Sequence, residues 1–299
     1  MLPKFLALCC CWLLCACSPL QIVDTLTPSY SYQLTREQAY GQLPRQQLDI
    51  YRPNNDVAQA APVVVFFYGG RWQSGAKEEY RFVAEALAAR GFVVVVPDYR
   101  LYPQVRYPAF LQDCAAAVAW ISRHIGEFGG DPAQIHLMGH SAGAYNAMML
   151  GLNPLYLQQA GNTTPIRSVI GMAGPYDFLP LTDPALQQIF GAESAWPATQ
   201  PIRYATAGAP PVLLQLGGDD ETVKPGNSER LAERLRQQQA PVELRRYAGL
   251  SHAGLIGALA LPFRLGTPVL DDIEQFLRQQ SNAAAPIPGT QASVQTRQP

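Results

Sequence analysis

The chain predicts an α/β fold: a mostly parallel sheet covered by helices on both faces, with a short lid-like insertion. Three observations point to it. The runs 62–68 (PVVVFFY) and 92–96 (FVVVV) are continuously apolar, as in strands buried on both faces. Segments of helical periodicity lie between these runs and the next one, 135–138, which is the alternation of parallel βαβ units. With 299 residues the chain is long enough to bury one large core.

The elements follow in order. Residues 47–51 read as an edge strand, closed by Pro53-Asn54-Asn55. The strand 62–68 ends in Gly69-Gly70-Arg71-Trp72, and a helix over 77–90 leads to Gly91 and the strand 92–96, stopped by Pro97. In the helix 108–124, Phe110, Cys114, Ala117, Val118 and Ile121 share a face. Gly129-Gly130-Asp131-Pro132 opens the strand 135–138, and a helix starts at Ala142. After a strand at 168–173, residues 174–209 are rich in Pro and aromatic residues and poor in periodicity, which is expected of a lid above a sheet. The strands 212–216 and 242–247 flank a helix at 228–238, and the helix 269–280 closes the domain. The catalytic domain is placed at 46–280 and a disordered tail at 281–299.

Composition narrows the function. Lys and Arg number 22 against 23 Asp and Glu, with no basic run, so neither nucleic acid nor an anionic membrane surface is indicated as a partner. At the N-terminus, Lys4 precedes twelve uncharged residues, 5–16, the length of a signal-peptide core and too short to span a bilayer. Leu14-Cys15-Ala16-Cys17 resembles the lipobox of bacterial lipoproteins. The resemblance implies a signal peptide at 1–16, lipidation of Cys17, a tether over 17–45, and a lipid anchor in the bacterial cell envelope. Ser18 in the next position favours the periplasmic side of the outer membrane. Removal of the signal leaves Cys114 as the one cysteine not lipidated, read as a small buried helix residue.

The chemistry centres on Gly139-His140-Ser141-Ala142-Gly143, a G-x-S-x-G pentapeptide between strand and helix. A serine there stands on a sharp turn with its hydroxyl in the open. Gly139 and Gly143 let strand and helix pass closely, and Ala142 offers a backbone N–H at a helix N-terminus, where negative charge is favoured. A hydroxyl is a weak nucleophile near neutral pH, so Ser141 needs a base and the base an orienting acid, in the chain order Ser, Asp or Glu, His. Of four histidines, His136 lies on a strand, His124 caps a helix end and His140 fills the variable position of the pentapeptide. His252, in a loop after the strand 242–247, is the one downstream of Ser141. The loop after 212–216 supplies three carboxylates, Asp219, Asp220 and Glu221. Gly69 and Gly70, with Arg71 beside them, would join Ala142 as backbone donors to an oxyanion.

These motifs together resemble an α/β-hydrolase of the hormone-sensitive-lipase-like and bacterial esterase groups that carry an H-G-G motif. Val96-Pro97-Asp98-Tyr99-Arg100-Leu101-Tyr102-Pro103, with Tyr107-Pro108-Ala109 and Asp113, is similar to their D-Y-R-L-x-P and F-P-A-x-x-x-D signature, and Gly130-Asp131-Pro132 matches as well. The similarity covers residues 48–277. Its acid turn, G-x-x-D-x-x-V, selects Asp220, with Asp219 as the runner-up. The resemblance implies a serine carboxylesterase that needs neither metal nor organic cofactor. Ser141 would be the nucleophile, His252 the base and Asp220 the acid, with Gly69, Gly70 and Ala142 as the oxyanion hole. Two departures stand out: Tyr68 replaces the histidine of the motif, and Arg71 replaces its small third residue. Arg71 and Trp72 are expected to bind substrate, and an Arg71 facing the cleft would favour anionic esters. An arylformamidase-like amide hydrolase, a sugar or cell-wall ester deacetylase, and a lipid-anchored binding protein on a hydrolase scaffold are the alternatives. The acyl and alcohol groups and the oligomeric state are left open.

Overall fold

The computed structural model describes Val23, residues 26–54 and residues 60–282. The signal peptide, Cys17 and the tail from 283 onward lie outside these residues. Eight strands form one sheet: β1 (Tyr32–Ala39), β2 (Gln47–Pro53), β3 (Ala61–Phe67), β4 (Val93–Pro97), β5 (Gly130–His140), β6 (Ser168–Met172), β7 (Val212–Gly217) and β8 (Val242–Tyr247). Their order is β1-β2-β4-β3-β5-β6-β7-β8. The first two pairings, β1 with β2 and β2 with β4, are antiparallel and the others parallel.

The expected α/β fold is therefore present, with one strand more than the apolar runs show. Strand β1 lies within the segment read as a tether and takes the edge place expected of β2. Its sequence, YQLTREQA, is half exposed and polar, and a bulge between Thr35 and Gln38 breaks its register, so no apolar run announces it. On the opposite edge, Arg245 and Arg246 face solvent from β8, charges that discourage pairing with another chain.

The sheet's interior explains the helices. Val63, Val64, Val65, Phe66 and Phe67 of β3 are all fully buried, which requires cover on both faces. Helix α1 (Arg81–Ala88) is tied to the closing helix α8 (Val269–Asn282): Arg90, just past α1, pairs with Asp271 and Glu274 at 2.6 Å each. The α1 segment opens as a 3-10 turn at Lys77–Tyr80, where buried Lys77 pairs with Asp49 at 3.3 Å. Helices α2 (Ala109–His124) and α3 (Ala142–Leu152) pack on each other. All of α3 except Gly151 is buried, and it carries apolar residues on every side, with Asn146 as a buried polar exception. Four further helices are α4 (Leu155–Gln159), α5 (Pro184–Phe190), α6 (Gly226–Gln237) and α7 (His252–Gly257). Helix α8 runs two residues past its expected end, since Ser281 hydrogen-bonds the carbonyl of Leu277 and lies 3.1 Å from His136 Nε2.

His136 and His140 both sit on β5 away from water. Burial pushes each from the ordinary 6.5 down to about 3, so both are neutral in the folded protein. The unfolded chain then binds more protons than the folded one between these values, and stability rises with pH across that window. From pH 7 to pH 5.5 each histidine is expected to remove about 1 kcal/mol of unfolding free energy, roughly 2 kcal/mol for the pair. Urea unfolding at the two pH values measures this, and equal or greater stability at pH 5.5 would contradict it.

Candidate active site

Ser141 stands between β5 and α3 at φ 56° and ψ −124°, a conformation that a serine adopts only when its surroundings impose it. The surroundings are close-fitting. A Cβ at Gly139 would meet the carbonyl oxygen of Gly143 at 2.3 Å, and one at Gly143 would meet that of Phe67 at 2.0 Å. Any larger residue at either place would push strand and helix apart. Ser141 N–H donates to the carbonyl of Met172 (2.9 Å), which fixes the turn to the neighbouring strand β6.

The carboxylate and imidazole meet at the C-terminal ends of β7 and β8. Asp220 is buried, and its Oδ1 accepts from the backbone N–H groups of Thr222 (2.9 Å) and Val223 (2.8 Å). Its Oδ2 accepts from His252 Nδ1–H at 2.8 Å, which leaves Nε2 free of the proton in the neutral ring. Asp219 is exposed and Glu221 is paired with Lys224, so neither takes that place. His252 is the first residue of α7 and not a loop residue. Ser251 caps the helix by accepting from Gly254 N–H at 3.1 Å. The acid turn is stitched to this segment by Gly218 N–H to Tyr247 O (2.7 Å) and Asp219 N–H to Leu250 O (3.1 Å). His140, the residue before Ser141, lies with its ring centroid 4.6 Å from that of His252, which sets the elbow beside the imidazole.

The glycine loop after β3 reaches the same point. A Cβ at Gly69 would stand 3.1 Å from Ser141 Cβ, so the backbone of Gly69 borders the serine directly. Gly70 has φ +114°, and a Cβ there would strike the carbonyl oxygen of Ser74 at 2.1 Å, so the turn requires glycine. Tyr68, in place of the family histidine, holds the loop by another route. Its ring stacks between Tyr80 and Tyr99, and burial keeps its phenol protonated. The hydroxyl donates to Asp98 Oδ1 (2.6 Å) and accepts from Arg45 Nη2 (2.6 Å), while Arg45 also donates to the carbonyls of Tyr99 and Gly75. Arg45 is a supporting residue that the sequence does not announce, since it falls in the segment read as a tether. Asp98 belongs to the D-Y-R-L signature. In that same signature Arg100 grips Asp113 through its Nε (2.7 Å) and Nη2 (2.8 Å), a bidentate pair.

The cleft beside Ser141 has a volume of about 230 Å³ and is walled by Arg71, Trp72 and Ala142 on one side. Phe178, Leu181 and Leu186 from the insertion and Val223 from the acid turn form apolar parts of the remaining wall, with Thr222, Lys224 and Asn227 adding polar groups. Trp72 borders the cleft but is almost wholly buried. Its indole N–H donates to Asn146 Oδ1 (2.9 Å), and its ring packs against those of Phe110, Tyr145 and Phe190. It is a wall of the cleft whose polar group is already used. Arg71 also faces the cleft, where it meets Asp183, the N-cap of α5. That pair is half exposed, and such pairs contribute about 1 kcal/mol or less. Edge-on ring contacts hold the insertion more firmly: Phe190 lies 4.9 Å from Trp72 and 5.5 Å from Phe178, contacts of about 0.5–1.5 kcal/mol each.

Residues 48–235, more than half of the chain, match the BD-FAE family. The chain belongs to the BD-FAE family. A probable isoprenylcysteine alpha-carbonyl methylesterase ICME from Oryza sativa subsp. japonica is 31% identical to this BD-FAE chain over 288 residues, 87% of the chain and 69% of the relative. Esterase LipC of Mycobacterium tuberculosis is 30% identical over 224 residues, 69% of the chain and 56% of the relative. The chain thus spans little more than half the length of the second relative. In structure it is similar to an inhibited esterase B from Lactobacillus rhamnosis, with a TM-score of 0.77 over 93% of this chain and 96% of the other, at 18% identity. That likeness establishes the α/β-hydrolase fold of this BD-FAE protein, and its relatives in sequence are ester hydrolases.

Proposed function

We propose that the protein is a serine carboxylesterase acting on small esters. The observation that carries this reading is the 2.8 Å bond from His252 Nδ1–H to Asp220, beside an elbow that presents Ser141. Ser141 Oγ attacks the ester carbonyl as His252 Nε2 takes its proton. The imidazolium, stabilised by Asp220, returns that proton to the departing alcohol. The oxyanion is received by backbone N–H groups of the Gly69-Gly70 loop and Ala142. Water, deprotonated by His252, then attacks the acyl-enzyme and releases the acid.

The size of the cleft supports small substrates. At about 230 Å³ it falls below the roughly 300–1,000 Å³ usual for drug-sized ligands, and aromatic rings close it on the Trp72 side. The methylesterase name of the Oryza relative fits a small group on one side of the ester. An acetyl-sugar or cell-wall ester is the second reading, favoured by the same small cleft and by the envelope location that lipidation of Cys17 would give. Arg71 keeps its expected role in this proposal, because its weak exposed pair with Asp183 leaves it able to exchange partners for a substrate anion. A panel of acetyl, butyryl and octanoyl aryl esters, acetylated sugars and an N-formyl amide is the test. Acetyl or butyryl compounds are expected to show the highest kcat/KM. A preference for the formamide, or no turnover of any ester, would overturn the reading.

A further inference from the structure

The second residue of a G-x-S-x-G pentapeptide is its variable position, yet His140 is buried and makes a directed contact. Its Nε2 lies 3.1 Å from the carbonyl oxygen of His252. A carbonyl can only accept, so the proton is on Nε2 and His140 is the donor. The two imidazole planes are tilted by 42°. On its other side the His140 ring borders the glycine loop, where a Cβ at Gly69 would come within 3.4 Å of Nδ1. One side chain therefore touches the His252 segment and the Gly69 loop, while its backbone is bonded to Ser141.

On the reading that His252 is the general base, we propose that His140 is a positioning residue that ties the His252 backbone to the nucleophile elbow and sets the imidazole's place relative to Ser141. Helix α7 is only six residues long, and the bonds of Asp219 and Ser251 secure the turn around His252. The His140 bond adds a side-chain tie from the elbow to the His252 carbonyl itself, beside the helix's own ladder. His140 is also suited to the place electrically. Burial holds it neutral, so it puts no like charge beside the imidazolium formed during turnover.

Three variants test this. Leucine fills a similar volume without a donor, and the amide N–H of glutamine reaches about as far as Nε2. For His140→Leu, kcat is expected to fall about 10- to 100-fold, the scale of a misplacement near 1 Å, with KM within about twofold. His140→Gln is expected to stay within about threefold of wild type in kcat. Should leucine fail to fold among these buried groups, His140→Asn, too short to reach the carbonyl, takes its place with the same expected loss. Wild-type kcat without the donor, or an equal loss with glutamine, would overturn the role. Ser141→Ala runs in parallel: if it is inactive while the donor-less variant is fully active, only the role of His140 fails, and if it is active, the reading of the elbow fails.

Discussion

Ser141→Ala is expected to lose roughly 10⁵- to 10⁶-fold in kcat for ester hydrolysis, the scale seen when a nucleophile of this type is removed. The loss comes from one oxygen atom. Alanine keeps the Cβ that already fits against Gly69, and the backbone bond from residue 141 to Met172 is unaffected. The variant should therefore fold as the wild type does and bind substrate with little change in KM. Circular dichroism and thermal melting separate this outcome from a loss of fold, and residual activity near wild type would mean that Ser141 is not the nucleophile.

Asp220→Asn is expected to lower kcat about 10⁴-fold, by a different route. The asparagine carbonyl can still accept from Thr222 and Val223 N–H, so the turn keeps its shape. Its NH₂ group then faces His252 Nδ1 and can only donate. The imidazole is driven to the tautomer with its proton on Nε2, where it cannot accept the proton of Ser141. Asp219→Asn is the matched control, since Asp219 is exposed and contributes only its backbone N–H to the turn; it should stay within about twofold of wild type. Equal losses in the two variants would remove the distinction between these neighbouring carboxylates.

How far the sequence discloses this protein depends on where each feature's cause lies. The central strands are legible because burial on both faces demands unbroken apolar runs, and the elbow is legible because its two glycines are sterically required. Strand β1 is hidden because an edge strand with one wet face and a bulge has no such run. Helix α5 is short and lies in an aperiodic stretch, although Asp183-Pro184, an N-cap followed by proline at the first helical position, marks its start. Arg45 and Asn146 are beyond local reading, since their roles exist only once the chain has folded: Arg45 braces Tyr68, and Asn146 takes up the indole of Trp72. Trp72, expected to bind substrate, lines the cleft with its ring while its N–H is taken by Asn146, a partner visible only in the fold. The register of a family motif points to Asp220, and in the fold it is Asp220 whose Oδ2 lies 2.8 Å from His252 Nδ1, a contact that only the tertiary structure displays. His140 is the reverse case, a residue that a motif treats as free and that tertiary contacts do not.

The central claim is that Ser141 is an activated nucleophile next to His252. Reaction of the purified protein with a fluorophosphonate, followed by digestion and mass spectrometry, tests it most directly. One phosphonylated residue, Ser141, is expected, with labelling abolished in Ser141→Ala and strongly slowed in His252→Ala. An unlabelled protein, or label on another residue with Ser141 untouched, would contradict it.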